Sequence, residues 1–185
     1  MNEGEKDPGL YDFAPYRGRE PFSWPGDKKV AVWISPNLEF YEIDPPANPH
    51  RKSWAMPPPD VVRQSHRDHA NRVSHWRMAE VMSKHGFPGS VSLSVALCQH
   101  HPNVVEDANQ RGWEFFSHGI YNTQFLNDTP EEEEREFYRD SIDPLKRHTG
   151  KQLKGMIGPG ISATERTPDL MAEAGLIYHS HWYHD

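Results

Sequence analysis

The sequence predicts an α/β domain built as a layered sheet or a barrel, and three observations carry this prediction. Short apolar runs of the kind that form buried strands recur along the chain. Segments with helical periodicity or helix start signals lie between these runs, and glycine ends most of them. Strands separated by such helices indicate parallel βαβ units. With 185 residues, the chain has room for one such domain.

The regular part of the chain follows a proline-rich beginning. The sequence holds 17 prolines, close to twice the average share of about 5%. Residues 1–28 contain several of them and are expected to form an extended N-terminal arm, so we place the domain at 29–185. A second proline-rich stretch, 44–60, predicts a long loop over the site that follows the first strand.

The elements of the domain are predicted in chain order. Five strands are expected at residues 29–35, 90–96, 113–117, 153–157 and from 176 onward. Four helices are expected, with Val73, Trp76, Ala79 and Met82 on the inner face of the first, and the others at 102–111, from the cap Thr129 to Gly150, and from the cap Thr167 to Gly175. The four glutamates at 131–134 predict a solvated first turn that favours the helix dipole.

Composition excludes several classes of function. The net charge of −7 argues against binding to nucleic acid or to an anionic membrane. The single cysteine, Cys98, excludes an internal disulfide framework and a cysteine-based zinc site, and it suits a reducing compartment. No apolar run has the length of a membrane span, and the polar N-terminus lacks the pattern of a signal peptide. We therefore expect a soluble cytoplasmic protein.

Polar side chains follow the predicted strands at the edge where parallel α/β folds bind their ligands. Glu39 comes after the first strand, His118 after the third, and the turn 158–160 after the fourth. These residue types suit a hydrolytic site, with Glu39 as base and His118 as acid, ligand or electrostatic stabiliser. A helix cap or surface position is the simpler alternative for Glu39.

Other reactive residue types fit ordinary roles better. Cys98 follows a strand and is expected to be a buried bystander, while the histidines at 66, 69, 75, 100, 101 and 148 are expected in loops or on exposed helix faces. The chain carries no phosphate loop, no dinucleotide-binding glycine pattern, no serine elbow and no His-Glu-x-x-His motif.

Six stretches of the chain nevertheless form a recognisable series. They run over residues 33–39, 67–77, 111–119, 158–160, 167–175 and 182–185. In this order and spacing the chain resembles the polysaccharide deacetylase superfamily (the NodB-homology domain, carbohydrate esterase family 4), and more closely its allantoinase and cyclic-imide-hydrolase branch. The resemblance extends over nearly the whole chain from about Leu10. It implies a distorted (β/α) barrel with its site at the carboxyl ends of the strands.

The resemblance also shows where this chain departs from the metal-dependent members. Glu39 falls where those members have the catalytic base, Phe40 where they have a metal-binding carboxylate, and Asn122 where they have a second histidine ligand. Only Glu39 and His118 remain as metal candidates, so the resemblance implies no required cofactor, with one divalent zinc ion as the alternative.

The implied function is hydrolysis of a non-peptide C–N bond in a cyclic amide, imide or ureide. Glu39, His118 and Asn122 are the implied catalytic residues, and the implied substrate-binding residues are Asn37, Arg72, Gly158, Pro159 and Gly160. An ion pair on the helix surface is the alternative role for Arg72. Polysaccharide N-deacetylation is the alternative activity, and a non-catalytic homologue that binds a ligand or assembles with a partner is the alternative class.

The length of the chain leads to one more expectation. Five predicted strands are fewer than the seven usual in the family, so the barrel is expected to be truncated after the fifth. An open barrel leaves strand edges exposed. We therefore expect either a homo-oligomer or a missing C-terminal segment.

Overall fold

The computed structural model describes residues 9–12, 14–49 and 56–183. By its internal contacts the chain divides into two units, Met1–Trp33 and Ile34–Asp185. The described part of the first unit holds one short 3₁₀ turn, Pro25–Asp27. The second unit contains the sheet, the helices and the residues discussed below as a site. No helix within the described ranges is both long and apolar enough to cross a bilayer.

The second unit alternates strands and helices, as the sequence predicts. The strands are β1 (Asn37–Leu38), β2 (Ser90–Leu93), β3 (Glu114–Ser117), β4 (Gly155–Met156) and β5 (Tyr178–His179). The helices are α1 (Val61–His69), α2 (His75–Lys84), α3 (Leu97–His100), α4 (Pro102–Gln110), α5 (Glu131–Thr149) and α6 (Thr167–Glu173). A π-helical turn, Ala70–Ser74, joins α1 to α2, and a 3₁₀ turn, Pro159–Ile161, follows β4.

The five strands form one parallel sheet in the order β1-β2-β3-β4-β5. A doubly wound sheet reverses its strand order at one point, and this sheet does not. Right-handed crossovers between consecutive neighbours place their helices on the same face of the sheet, which is the arrangement of a (β/α) barrel. The α/β fold class with five barrel strands is thus confirmed.

The core lies between the sheet and the helices. It combines strand residues such as Val91 and Phe115 with helix residues such as Ala79 and Leu145, all at most 2% exposed. Val73, Trp76, Ala79 and Met82 do lie on one continuous helical segment, and Gly150 ends α5 in the left-handed conformation. Cys98 is buried, as predicted, and burial raises the pKa of its thiol to about 11, which disfavours the reactive thiolate.

The prediction of a strand at residues 29–35 was wrong. Val30 and Val32 are 73% and 77% exposed, and regular pairing begins only at Ile34, whose carbonyl accepts a hydrogen bond from the Ser90 amide. The reason lies in the neighbouring strand. Before β2 begins at Ser90, the amides of Gly86 and Phe87 donate to the carbonyls of Ser83 and Met82, so these residues form the turn that ends α2 and do not extend the strand. An apolar run alone does not disclose where its partner begins.

The predicted ends of α5 and α6 also need correction. Glu134 is fully buried rather than solvated, and its carboxylate accepts hydrogen bonds from Tyr138 (2.6 Å), Thr164 (2.7 Å) and Thr167 (2.6 Å). Thr167 therefore uses its hydroxyl to join α6 to α5 and does not cap its own helix. Thr129 does not cap α5 either, since that helix begins at Glu131. The buried carboxylate is satisfied by hydroxyl donors instead of a cation.

One of the histidines expected on an exposed face is in the interior. His75 is 1% exposed, and its Nε2 lies 2.8 Å from Asp107 Oδ2. Arg111 donates two hydrogen bonds to the same carboxylate. Burial lowers the pKa of His75. This group links α2 to the end of α4 and lies outside the site described next.

Candidate active site

Glu39, the first residue after β1, is the centre of the candidate site. One carboxylate oxygen, Oε2, accepts a short hydrogen bond from the Tyr41 hydroxyl and another from Asn122 Nδ2 at 2.8 Å. The other oxygen, Oε1, lies 3.4 Å from His118 Nε2 and 3.4 Å from Asn37 Nδ2. One oxygen is therefore fixed by two donors, while the other accepts one long hydrogen bond from Asn37 and faces an imidazole.

The backbone at Glu39 is held from the helix side. Asn71 lies in the π-helical turn between α1 and α2, and its Nδ2 donates to the Glu39 carbonyl oxygen at 3.0 Å. Asn71 is 5% exposed. Single π turns interrupt helices and are frequent at functional sites. Here the interruption lets a helix-borne amide reach the end of β1.

His118 directly follows β3, and the next strand fixes its ring. Its Nδ1 lies 3.1 Å from the carbonyl oxygen of Ile157, just beyond β4. Because a carbonyl oxygen only accepts hydrogen bonds, Nδ1 carries the proton of the neutral ring and Nε2 presents its lone pair to Glu39. Burial lowers the pKa of His118, against the opposing effects of Glu39, Ile157 and Asn122. The ring is therefore held neutral near pH 7.

Tyr41 is a site residue that the sequence did not suggest. Its hydroxyl donates to Glu39 and accepts from Asn122, while its backbone carbonyl accepts from Gln64 Nε2 at 3.1 Å. Burial, and next the bond to Glu39, raise the pKa of Tyr41 far above its usual value, so the phenol stays protonated. Arg67 lies over the ring, with its Cζ 3.6 Å from the centroid. The only sequence signal was the position of Tyr41 two residues beyond Glu39.

A cavity of about 300 Å³ opens beside Glu39 and Tyr41, and its lining does not include His118 or Asn122. Its lining includes Asn37, Glu39, Tyr41, His66, Arg67 and His69. The cavity thus brings the predicted Asn37 and Glu39 together with three side chains of α1 that were not predicted as site residues. Its volume suits a small ring rather than a long chain segment.

Arg72 lies outside this cavity. Its Nε is 2.7 Å from Asp68 Oδ2 on the exposed side of the helix, and both residues line a second cavity of about 370 Å³. Phe40 lines that second cavity too and stacks on the ring of His100, with centroids 4.2 Å apart. The geometry matches the alternative that the sequence left open for Arg72, an ion pair on the helix surface.

The predicted turn Gly158, Pro159 and Gly160 follows β4, but its first amide is already engaged. The Gly158 N–H donates to His181 Nε2 at 2.6 Å. A Cβ on Gly158 would come within 2.6 Å of the Ser162 carbonyl oxygen, so only glycine fits there. His181 follows β5, is 4% exposed, and has its pKa lowered to about 4 by burial and by the nearby His179 and His118. The turn is therefore attached to the segment after β5, and none of its three residues lines the 300 Å³ cavity.

The residues present do not fit a three-ligand metal centre. Within the part of the chain that the structure describes, no three His, Cys, Asp or Glu side chains are grouped so that they could hold an ion. Phe40 packs against His100, Asn122 donates to Glu39, and His118 has only Nε2 free of its bond to Ile157. A catalytic zinc ion normally takes three protein ligands, and this donor set does not supply them.

Comparisons with known proteins agree with the fold. The Puue allantoinase structure superposes with a TM-score of 0.75 at 22% identity, covering 95% of this chain and 63% of that one. A probable polysaccharide deacetylase from Pseudomonas aeruginosa PAO1 gives 0.74 at 24% identity, covering 91% and 60%. A carbohydrate esterase family 4 pseudoenzyme from Bacillus anthracis gives 0.57 at 10% identity, covering 80% and 41%. The chain therefore spans less than two thirds of each of these chains.

The sequence comparison identifies the family. No curated protein matches the chain. The family model described as polysaccharide deacetylase matches residues 60–179, which include α1 through β5 and the predicted residues His118, Asn122 and the turn 158–160. Since this match extends over more than half of the sequence, the chain belongs to the polysaccharide deacetylase family.

Proposed function

We propose that this chain carries the catalytic part of a hydrolase that opens a cyclic amide, imide or ureide at its C–N bond. The observation that carries the proposal is that the two carboxylate oxygens of Glu39 have different partners. Oε2 is fixed by Tyr41 and Asn122, while Oε1 faces the unprotonated Nε2 of His118 at 3.4 Å. Two acceptors at this distance have no proton donor between them, and a water molecule that donates one hydrogen to each satisfies both.

The reaction follows from that arrangement. Glu39 takes a proton as the water oxygen attacks the ring carbonyl, which forms a C–O bond and moves the carbonyl electron pair onto oxygen. The electron pair then returns, the C–N bond breaks, and a proton passes to the leaving nitrogen. His118, neutral and within reach of the same water, is the group that relays protons between Glu39 and this nitrogen.

The neighbouring residues position this pair. The Asn122 amide donates both to Glu39 and to the Tyr41 hydroxyl, and the Gly158 N–H donates to His181. We therefore assign positioning roles to Asn122, which the resemblance implied to be catalytic, and to the turn 158–160, which it implied to bind substrate. Asn37 lines the cavity and donates from Nδ2 to Oε1 at 3.4 Å, so we assign it the contact with a bound ring.

Activity measurements on the purified chain test the proposal. The substrates are allantoin, hydantoin, succinimide and an N-acetylglucosamine oligomer, each with and without a chelator, and ring opening or acetate release is followed by NMR. We expect ring opening that resists the chelator, since the donor set does not form a metal centre. Release of acetate alone would identify an N-deacetylase, and no turnover of any substrate would favour a non-catalytic homologue.

Substitutions then test the residues. Glu39→Gln and His118→Ala are each expected to lower kcat/KM by about 100-fold or more, in the range of general acid–base catalysis. Glu42→Gln is the matched control, because this carboxylate lies three residues on and bonds to Thr123 at 2.7 Å. It should change kcat/KM by about twofold at most. Full activity of Glu39→Gln would refute the mechanism.

A further inference from the structure

Arg67 differs from Arg63 and Arg72, its neighbours on α1 and the π-helical turn, in having no acceptor. Among the described residues Arg77 has none either, but that side chain is exposed to water, whereas Arg67 is partly buried. Arg63 lies 3.5 Å from Asp60, and Arg72 lies 2.7 Å from Asp68. Within the described ranges, the guanidinium of Arg67 makes neither a hydrogen bond nor an ion pair, and its recorded contact is the stack on Tyr41. Five N–H donors of a rigid, charged group are therefore available at this point.

The guanidinium of Arg67 lacks an acceptor at a position that is partly buried and faces a cavity, which indicates that a ligand supplies the acceptor. Arg67 is partly buried and lines the 300 Å³ cavity together with Glu39 and Tyr41. A guanidinium removed from water without an acceptor is costly, and burial is the largest cause that lowers the pKa of Arg67. The contact with the Tyr41 ring also holds the guanidinium beside the cavity.

Tyr41 explains why Arg67 does not simply pair with Glu39. The ring face of Tyr41 carries the guanidinium, while its hydroxyl, together with Asn122, occupies Oε2 of Glu39. The same side chain thus contacts the cation with its ring face and the carboxylate with its hydroxyl. Oε1 of Glu39 therefore remains accessible for the reaction, and the donors of Arg67 remain available to another anion.

We propose that Arg67 binds a carboxylate of the substrate, so that the site takes cyclic amides or ureides bearing an acidic substituent on the ring. This inference rests on the proposed function. A planar guanidinium binds a planar carboxylate through two parallel hydrogen bonds. A site built around such a pair discriminates strongly against a substrate that lacks the partner, because its donors then remain unpaired. The anion also offsets the guanidinium charge beside Glu39.

The experiment compares hydantoin with hydantoin-5-acetic acid, which share the ring and differ in the carboxylate. The parent chain is expected to favour the acid by about 10- to 100-fold in kcat/KM, the range of a charge-assisted hydrogen-bonded pair. Arg67→Gln should remove this preference, so that the ratio of kcat/KM between the acid and hydantoin falls to about one. Arg77→Gln, an exposed position on the same helical segment, is the control and should keep the preference.

Three results would overturn the inference. The first is an equal kcat/KM for the two substrates in the parent chain. The second is a loss of kcat/KM in Arg67→Gln that is the same for both substrates. The third is that Arg72→Gln loses the preference for the acid while Arg67→Gln keeps it. If neither ring is opened, the proposed function fails, and calorimetric titration with hydantoin-5-acetic acid decides the inference separately. Binding by the parent but not by Arg67→Gln supports an anion site at Arg67, and absence of binding by the parent refutes it.

Discussion

His181 makes the stability of this fold depend on pH in a way that can be worked out from its contacts. Its Nε2 accepts the Gly158 N–H at 2.6 Å, and its Nδ1 is buried without a hydrogen-bond partner among the described residues. Protonation at Nε2 would break the first contact and place a charge where His179 and His118 already disfavour one. The native state therefore requires the neutral ring.

The sign and size of the effect follow from the two pKa values. The pKa of His181 is about 4 in the folded chain and 6.5 in its ordinary state, so between these values the unfolded chain binds more protons. Stability is then present above pH 6.5 and is lost as the pH falls toward 4. At about 1.4 kcal/mol per pH unit, the full effect is about 3 kcal/mol, of which about 2 kcal/mol is lost between pH 7 and pH 4.5.

The assay is urea unfolding of the parent and of His181→Gln at both pH values. Glutamine keeps an acceptor for the Gly158 amide but does not titrate in this range. Carboxylates contribute equally to both proteins, so the difference between their pH dependences isolates His181. We expect the parent to lose about 2 kcal/mol more than the variant. Equal losses would show that the ring is protonated without cost and would refute the assignment of Nε2 as an acceptor.

Two further substitutions test the arrangement around Glu39 and the contact between α5 and α6. Tyr41→Phe removes the hydroxyl that bonds to Glu39 and Asn122. It should lower kcat by about tenfold in the ring-opening assay, as expected for a hydrogen bond to a charged group, and an unchanged kcat would refute the positioning role. Glu134→Gln places an amide against three hydroxyl donors and should cost about 1–3 kcal/mol in urea unfolding, whereas the exposed Glu133→Gln should stay within about 0.5 kcal/mol. Equal stabilities would contradict the buried network.

The fold was largely predictable because its signals are local. Alternating apolar runs and helical periods such as Val73 to Met82 are properties of short segments, and β2 through β5 overlap or adjoin their predicted positions. The failures involve partners far away in the chain. Val30 and Val32 belong to an apolar run, but whether such a run pairs depends on where β2 begins, and the burial of Glu134 depends on hydroxyls thirty residues later.

The site was predictable in its outline and not in its details. Glu39, His118 and Asn122 lie together because the carboxyl ends of parallel strands share one edge of the sheet, a rule that requires only the strand positions. The sequence did not predict Tyr41 and Arg67 as site residues, because their roles depend on a contact between a loop and α1. Nothing in the sequence distinguishes Arg67 from Arg72, since only the direction of each side chain decides which one finds a carboxylate on its own helix.

The contacts that shape the site also determine when it forms during folding. Asn122 reaches Glu39 across 83 residues of chain, His118 reaches Ile157 across 39, and Gly158 reaches His181 across 23. Contacts of such separation require large loops to close first, and they form slowly compared with the turns of a helix. Helices α4 and α5 depend on local contacts, whereas the geometry of Glu39 depends on β1, β3 and β4 being docked together. The arrangement of these side chains is therefore a late product of folding, and a partly folded chain would have its helices before it had the site.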